Sequence, residues 1–349
     1  MFRMAQDCKG TIAILAQKEM AEMAKNVHRV LTDPNGKYKD DRFCYFDIPR
    51  TIFNDEELYP NLGGSRIKNM DIFLFHSLRY PKDPNNSLIE LYLTIDALTR
   101  ASVRSITPVV PFLTYSRQDR KDKPRVPISA KAVANMLTIS PKVGRMITMD
   151  MHSDQGQGFY DIPVDNLLGS VVLAENFRKT LGKEIENTVM VSPDRGSWKR
   201  TKRFAGFCRD NMPSFCLDKD RDESGVEFED TDIRKYVEGK TVLMIDDQVA
   251  TGDTFIGAGQ KVVSAGAKQV IQAVTHWVAC PKNGITAEEK FRASGLHVVT
   301  TDTIPRSPEY LETNKDWLTM VPIYPFLANV IHESTLIGGS ISQLFVPTK

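Results

Sequence analysis

Short, nearly uninterrupted apolar runs recur along the chain at residues 72–75, 106–113, 146–151, 188–191, 241–245, 270–274, 297–299 and 318–323. Most are rich in valine, isoleucine and phenylalanine, and several end in Asp, Ser, Thr, Pro or His. A run apolar on both faces suits a strand of a parallel sheet covered by helices on each side. Between the runs lie stretches of helical length and spacing, at 87–101, 129–138, 169–181 and 255–265. Strand alternating with helix over the whole length predicts an α/β, doubly wound parallel-sheet architecture. The pattern weakens at 161–166, where Pro163 interrupts it, and a linker is expected there. Residues 219–232 are acidic and poor in apolar side chains. Such a stretch cannot order itself by burial and reads as a mobile surface loop. In open sheets ligands sit beyond the C-terminal ends of the strands, so the residues that follow each run are the ones to inspect.

With 349 residues the chain can bury two cores of ordinary size. Hydrophobic residues at 41% and charged residues at 26% fit a soluble globular protein. A formal net charge of +1 creates no global field for nucleic acid or an anionic membrane, so neither partner is expected. An anionic ligand must then be held by local arrangement. No apolar run reaches the ~18 residues needed to cross a bilayer, and the first ten residues lack the features of a secretory signal, which predicts a cytoplasmic protein. Five cysteines (Cys8, Cys44, Cys208, Cys216, Cys280), odd in number and without C-x-x-C spacing, predict reduced thiols rather than a disulfide framework or a zinc site.

The most informative segment is 241–254, TVLMIDDQVATGDT. It reads as a buried strand, two carboxylates at its C-terminal end, a Thr/Gly turn and a helix start. If the strand persists, Asp246 and Asp247 point to opposite sides. One then reaches a sugar diol while the other holds the loop or a metal-bound water. The turn Thr251, Gly252, Asp253, Thr254 would offer backbone N–H groups and hydroxyls to a phosphate. The plainer reading of these residues is a helix cap plus a turn.

This segment resembles the phosphoribosyl pyrophosphate signature of the type I phosphoribosyltransferase fold. Further segments, YSRQDRKDKPR at 115–125, PISAK at 127–131, TMDMHSDQ at 148–155 and GFYDIPVDN at 158–166, are similar to phosphoribosyl pyrophosphate synthetase (ribose-phosphate diphosphokinase). So are 191–194, 300–305 and the SISQLF near the C-terminus, so the resemblance covers nearly the whole chain and weakens over the first ~50 residues. It implies two similar doubly wound domains of the type I phosphoribosyltransferase-like fold. The first, on the ATP side, is expected at 1–165 with the tail 335–349 packing back on it; the second, holding the sugar phosphate, at 166–334. The implied reaction moves the β,γ-diphosphoryl group of MgATP onto the 1-hydroxyl of a ribose phosphate and releases AMP. The implied assembly is a homo-oligomer built from dimers, hexameric in the family, with an active site shared between subunits.

Residue roles follow from the same resemblance. Arg117 and Gln118 fall on ATP, where an always-charged guanidinium suits a polyphosphate. His152 corresponds to the histidine that contacts ATP and its magnesium, and Asp194 to the magnesium-side aspartate, a hard oxygen ligand of the right type for Mg2+. Lys219 and Arg221 fall on the catalytic loop that steadies the transferring group. FNDEE at 53–57 resembles the segment that reaches adenine from a neighbouring subunit: Phe53 stacks on the ring, while Asp55 and Glu57 accept from N6 or hold the loop.

The ribose-phosphate loop departs from the family, which reads Asp-Asp, two variable residues, then Asp-Thr-Gly-Gly-Thr. Here the third acid is Ala250 and a loop glycine is Asp253. A carboxylate beside a phosphate dianion repels it, so either Asp253 points away or the 5′ group is not a bare monophosphate. Trp198 and Trp277 replace residues usually small in the family, and either indole could stack on a base, although core packing is the preferred reading of Trp277. These departures raise ADP-ribose as an acceptor level with ribose 5-phosphate, giving an activated ribose for NAD salvage. An inactive regulatory relative is a weaker reading, because Arg117, His152, Asp194, Lys219 and Arg221 are all retained. A phosphoribosyltransferase shares the paired acids but does not explain 115–131.

Overall fold

The computed structural model describes residues 10–63, 65–79, 83–217 and 233–345. The chain forms two compact units, one ending at Leu167 and taking in Tyr324–Leu344, the other Leu168–Ile323. The first runs β1 (Ile12–Ala16), α1 (Ala21–Thr32), β2 (Phe43–Asp47), β3 (Arg50–Ile52), β4 (Leu58–Pro60), β5 (Asp71–Phe75), α2 (Pro84–Arg100), β6 (Ser105–Val109), α3 (Ser129–Leu137), β7 (Met146–Met149) and β8 (Val164–Leu167). Six of these strands make a parallel sheet in the order β2-β1-β5-β6-β7-β8. The pair β3 and β4 is a separate antiparallel hairpin.

The second unit runs α4 (Gly169–Leu181), β9 (Thr188–Ser192), α5 (Trp198–Cys208), β10 (Ser214–Cys216), α6 (Arg234–Val237), β11 (Thr241–Val249), α7 (Asp253–Ser264), β12 (Gln269–Trp277), α8 (Ala287–Ser294), β13 (His297–Thr301), α9 (Pro308–Asn314) and β14 (Leu318–Val321). Its sheet is also wholly parallel, in the order β10-β9-β11-β12-β13-β14. Helix α10 (Tyr324–Thr335) belongs to the first unit, where it packs on α1. Tyr38 fixes it there, donating to Asn329 Oδ1 (2.8 Å) with its ring 4.4 Å from that of His332. The return to the first unit thus begins at Tyr324, inside the range the sequence assigns to the second domain.

All eight apolar runs are strands, and the four helical stretches are α2, α3, α4 and α7. Burial explains why the strands read so plainly: every residue of β1, β7 and β9 is buried, as are the first five of β11. Local chemistry sets the helix starts. The Asp83 carboxylate accepts the N–H groups of Asn85 and Asn86 with Pro84 in the first turn of α2, and Thr286 and Glu289 form a capping box on α8. Two expectations fail. The stretch 161–166 is no linker, since its second half is the edge strand β8, whose alternation is masked by Asp and Asn at a half-exposed edge. Cys44 is disulfide-bonded, whereas Cys208, Cys216 and Cys280 are not. An odd count and missing C-x-x-C spacing argue against a framework, not against a single bridge.

Candidate active site

In the second unit the strand order reverses direction between β9 and β11, which is where a doubly wound sheet opens a ligand crevice. The pairing of β9 with β11 stops at Met190–Leu243, so the C-terminal half of β11 and the loop after β9 form the crevice walls. On one side stands Asp194, whose Oδ1 accepts the Ser197 N–H at 2.8 Å. On the other stand Asp246, half-buried, and Asp247, buried. Strand β11 does persist past both acids, yet one Arg200 nitrogen lies within 3.4 Å of both carboxylates, so the expected divergence to opposite sides does not occur. Ser197 Oγ reaches Asp246 Oδ1 at 3.4 Å and joins the two walls.

The charge of this pair is set by a residue the sequence did not single out. Arg200, in α5, places Nη1 2.6 Å from Asp246 Oδ1 and 3.4 Å from Asp247 Oδ1. One guanidinium between two carboxylates leaves an excess negative charge. Burial, reinforced by the neighbouring Asp247 charge, therefore raises the Asp246 pKa despite Arg200. A vicinal diol or a cation at this point would relieve that charge.

Ala250, Thr251, Gly252, Asp253 and Thr254 carry the chain from β11 into α7. Gly252 has φ +81°, and an added Cβ would lie 2.6 Å from Phe291 Cε2, so a side chain is barred twice over. The first N–H groups of α7 lack intrahelical acceptors and face the turn, an arrangement suited to phosphate oxygens. Asp253 does not leave an unmatched charge there. Lys282 Nζ lies 2.7 Å from its Oδ2 and Lys290 Nζ 2.6 Å from its Oδ1. The expected conflict between a carboxylate and a phosphate monoester therefore loses its premise.

Neither tryptophan offers a plain base platform. Trp277 is fully buried, edge-on to Phe291 (5.2 Å) and beside Trp317 (5.6 Å), with Nε1 donating to Tyr310 Oη at 2.7 Å. It supports the turn from beneath through Phe291. Trp198, at the start of α5, carries the Lys202 ammonium over its ring at 4.7 Å.

In the first unit the ATP-side candidates follow β6 and β7. Arg117 is exposed, while Gln118 is tied to the start of α3: its carbonyl accepts the Ala130 N–H at 3.2 Å and its side-chain oxygen accepts from Ser129. His152 is exposed just past β7, after Asp150, which holds φ +36° and turns the chain sharply at the strand end. A cleft lined by Thr114, Ser116, Asp119, His152 and Ser153 joins the two loops. At the tip of the hairpin Phe53 is about half exposed, with its ring 5.5 Å from Tyr59. Asp55 Oδ1 accepts the Glu57 N–H at 3.3 Å, and Glu57 O accepts the Phe53 N–H at 2.9 Å, so Asp55 and the Glu57 backbone hold the loop. His152 and Asp194, both expected on magnesium, belong to different units. Among the described residues no three metal-ligating side chains cluster. Lys219 and Arg221 lie outside the described residues.

A family profile for the N-terminal domain of ribose phosphate pyrophosphokinase matches residues 12–140. The ribose-phosphate pyrophosphokinase of Rhodopirellula baltica is 40% identical over 84% of this chain and 88% of its own length. That of Bacillus caldolyticus is 35% identical over 93% and 95%. The chain belongs to the ribose-phosphate pyrophosphokinase family. The crystal structure of phosphoribosylpyrophosphate synthetase from Mycobacterium smegmatis superposes with a TM-score of 0.74 at 29% identity, covering 93% of this chain and 98% of that one. Membership in this family makes the chain a diphosphotransferase enzyme and accounts for the duplicated parallel sheets. Among the described residues no helix is long and apolar enough to cross a membrane.

Arg200, Lys282 and Lys290 are the site residues that sequence reasoning missed. Arg200 meets Asp246 across 46 residues, and Lys290 meets Asp253 across 37. No spacing rule links such pairs. The one available signal was the acid at Asp253 itself, which demands a nearby cation if the turn is to hold a phosphate.

Proposed function

We propose that this chain transfers the β,γ-diphosphoryl group of MgATP to the 1-hydroxyl of ribose 5-phosphate, releasing AMP. The observation that carries the reading is the continuous segment 246–254, in which a paired acid for the ribose diol leads directly into a glycine-hinged helix start for the 5′-phosphate. The anomeric oxygen forms a bond to the β-phosphorus, the bond from that phosphorus to the α,β-bridging oxygen breaks, and AMP leaves with that oxygen. The hydroxyl proton passes to solvent. Such transfer rests on positioning and charge neutralisation. Asp246 and Asp247 orient the furanose, the turn 251–254 grips the phosphate, and Arg117, Gln118 and His152 hold the nucleotide triphosphate. Lys219 and Arg221 serve as catalytic cations.

The donor set fits Mg2+, which favours a single carboxylate beside substrate phosphates and water over an all-protein cage. Asp194 is such a donor, its Oδ1 already fixed by the Ser197 N–H, and His152 would serve on the nucleotide side. When bound, the ion neutralises charge on the β- and γ-phosphates. The exposed Phe53 is assigned to the adenine of a neighbouring subunit, which makes the enzyme a homo-oligomer with shared sites, and a cytoplasmic location follows from its substrates. The matched charge of Asp253 and the burial of Trp277 favour ribose 5-phosphate as acceptor.

The test incubates the purified protein with MgATP and ribose 5-phosphate and follows phosphorus NMR and AMP by chromatography. We expect equimolar AMP and a sugar carrying a diphosphate on carbon 1. ADP as the nucleotide product, or no AMP above the sugar-free control, refutes the proposal.

A further inference from the structure

The second loop glycine of the family is replaced here by an acid, and the surroundings of that acid are built rather than incidental. The loop after β12 is laced to the backbone of the turn, with Ala279 N donating to Val249 O (3.1 Å) and Cys280 N to Ala250 O (2.8 Å). Lys282 and Ile285 then exchange backbone hydrogen bonds (2.9 and 3.1 Å) across Asn283 and Gly284, both at positive φ. This tight reversal fixes the base of the Lys282 side chain. The capping box fixes the start of α8 and with it Lys290, whose side chain is only 17% exposed. Lys290 Nζ also donates to the Thr251 carbonyl at 3.3 Å, so its ammonium lies against the turn itself. Thr251 Oγ1 donates to Asp253 Oδ2 at 3.3 Å and closes the network.

We propose that Asp253 is a positioning residue that tethers Lys282 and Lys290 at the ribose-phosphate turn, where the two lysines supply the cationic charge that recognises the dianionic sugar monophosphate. The assignment rests on the ribose 5-phosphate reading given above. Two ammonium groups against one carboxylate leave the turn a net cation. Hydrogen bonds from both lysines hold the Asp253 carboxyl down at about 2, so the tether stays charged across the working range. An ammonium on a long flexible stem loses much of its reach when untethered, and the carboxylate restores order at the cost of one charge. Removing the lysines should therefore be worse than never having had the acid: the exposed carboxylate then faces the phosphate unmatched.

That inversion is testable by titration calorimetry of ribose 5-phosphate into the full-length protein. The variants are Lys282→Met with Lys290→Met, the same pair with Asp253→Gly, and Asp253→Gly alone. We expect the lysine pair to weaken ribose 5-phosphate binding about tenfold, with ATP affinity unchanged within about twofold. Adding Asp253→Gly to that pair should recover most of the loss, and Asp253→Gly alone should cost less than about threefold. The single exposed change Lys282→Met carries the same sign and keeps the test alive if the pair misfolds. Ribose 5-phosphate affinity of the lysine pair within twofold of wild type, or no recovery on Asp253→Gly, overturns the proposal. Wild-type protein that does not bind ribose 5-phosphate overturns it as well. Binding without AMP release refutes the proposed function alone and leaves the lysine tether standing.

Discussion

Replacing Arg200 by methionine removes the guanidinium between Asp246 and Asp247 while keeping most of the aliphatic bulk. The three side chains are 20%, 27% and 7% exposed, so the pair is neither at the surface nor fully sealed. Breaking a buried ion pair costs about 3–5 kcal/mol because a charge is stranded; the residual exposure of Asp246 brings the expectation to about 2–4 kcal/mol. The loss must also depend on pH. Asp246 already has a raised pKa, through burial and the Asp247 charge, and losing Arg200 raises it further. Above the ordinary aspartate value of about 3.9 the unfolded chain has released this proton while the folded protein still holds it. Stability therefore falls as pH rises from there through the folded pKa. The variant should be about 2–4 kcal/mol less stable at pH 8 and at least about 1 kcal/mol closer to wild type at pH 5. All three tryptophans, Trp198, Trp277 and Trp317, lie in the second unit, so urea unfolding followed by tryptophan fluorescence reads the relevant transition. EDTA and the absence of nucleotide and sugar keep ligands from masking the charge. A loss below about 1 kcal/mol at pH 8, or the same loss at both pH values, would refute the electrostatic account of the acid pair.

Three further expectations probe other parts of the site. Gly252→Ala forces a side chain into left-handed backbone and against Phe291; it should cost about 2–4 kcal/mol in the same unfolding assay and raise KM for ribose 5-phosphate more than KM for ATP. Trp277→Ala opens a cavity under the turn and leaves the Tyr310 hydroxyl one donor short, for an expected loss of about 3–5 kcal/mol; an unchanged denaturation midpoint would remove Trp277 from the support of the turn. Phe53→Ala should raise KM for ATP about tenfold through a lost base stack while leaving the melting temperature within about a degree, because the ring is half exposed.

Legibility in the sequence follows from the range over which each feature is encoded. Strands β5, β6, β7, β9, β11 and β12 are buried through most of their residues, so those stretches had to be largely apolar and can be read at sight. Edge strand β8, half-exposed and holding Asp165 and Asn166, has no such requirement and reads as a linker. The extra length of β11 and β12 was hidden for a different reason. Both run on to Val249 and Trp277 through Asp246, Asp247, Gln248, Thr275 and His276, polar residues that a hydrophobic pattern excludes but a crevice requires. The paired acid and the glycine turn were legible because they are local, consecutive and chemically specific. Their counter-ions were not, because Arg200, Lys282 and Lys290 are supplied by separate helices and loops whose approach only the fold determines.

The duplicated strand order sharpens this point. Each sheet reverses between its first and third parallel strands, at β1/β5 and at β9/β11, so each unit has a crevice at the same topological place. In the second unit that crevice holds Asp194, Asp246 and Asp247, with Arg200 set between the paired acids, a charge balance that a sugar or cation can improve. In the first unit it is filled by the protein's own polar groups. Gln17 accepts the Ser77 N–H (3.0 Å) and donates to Glu90 (2.9 Å), and Arg50 bridges Glu90 (3.2 Å) and Glu19 (3.1 Å). Arg50 opens β3, so this plug also anchors the hairpin that carries Phe53. The same fold element has been put to two uses. Where internal partners satisfy the crevice, it becomes the foundation of a projecting loop; where one cation must serve two acids, it stays open to a ligand. On the function proposed above, nucleotide contacts in the first unit accordingly fall to the neighbouring strand ends, after β6 and β7, where Arg117 and His152 are exposed.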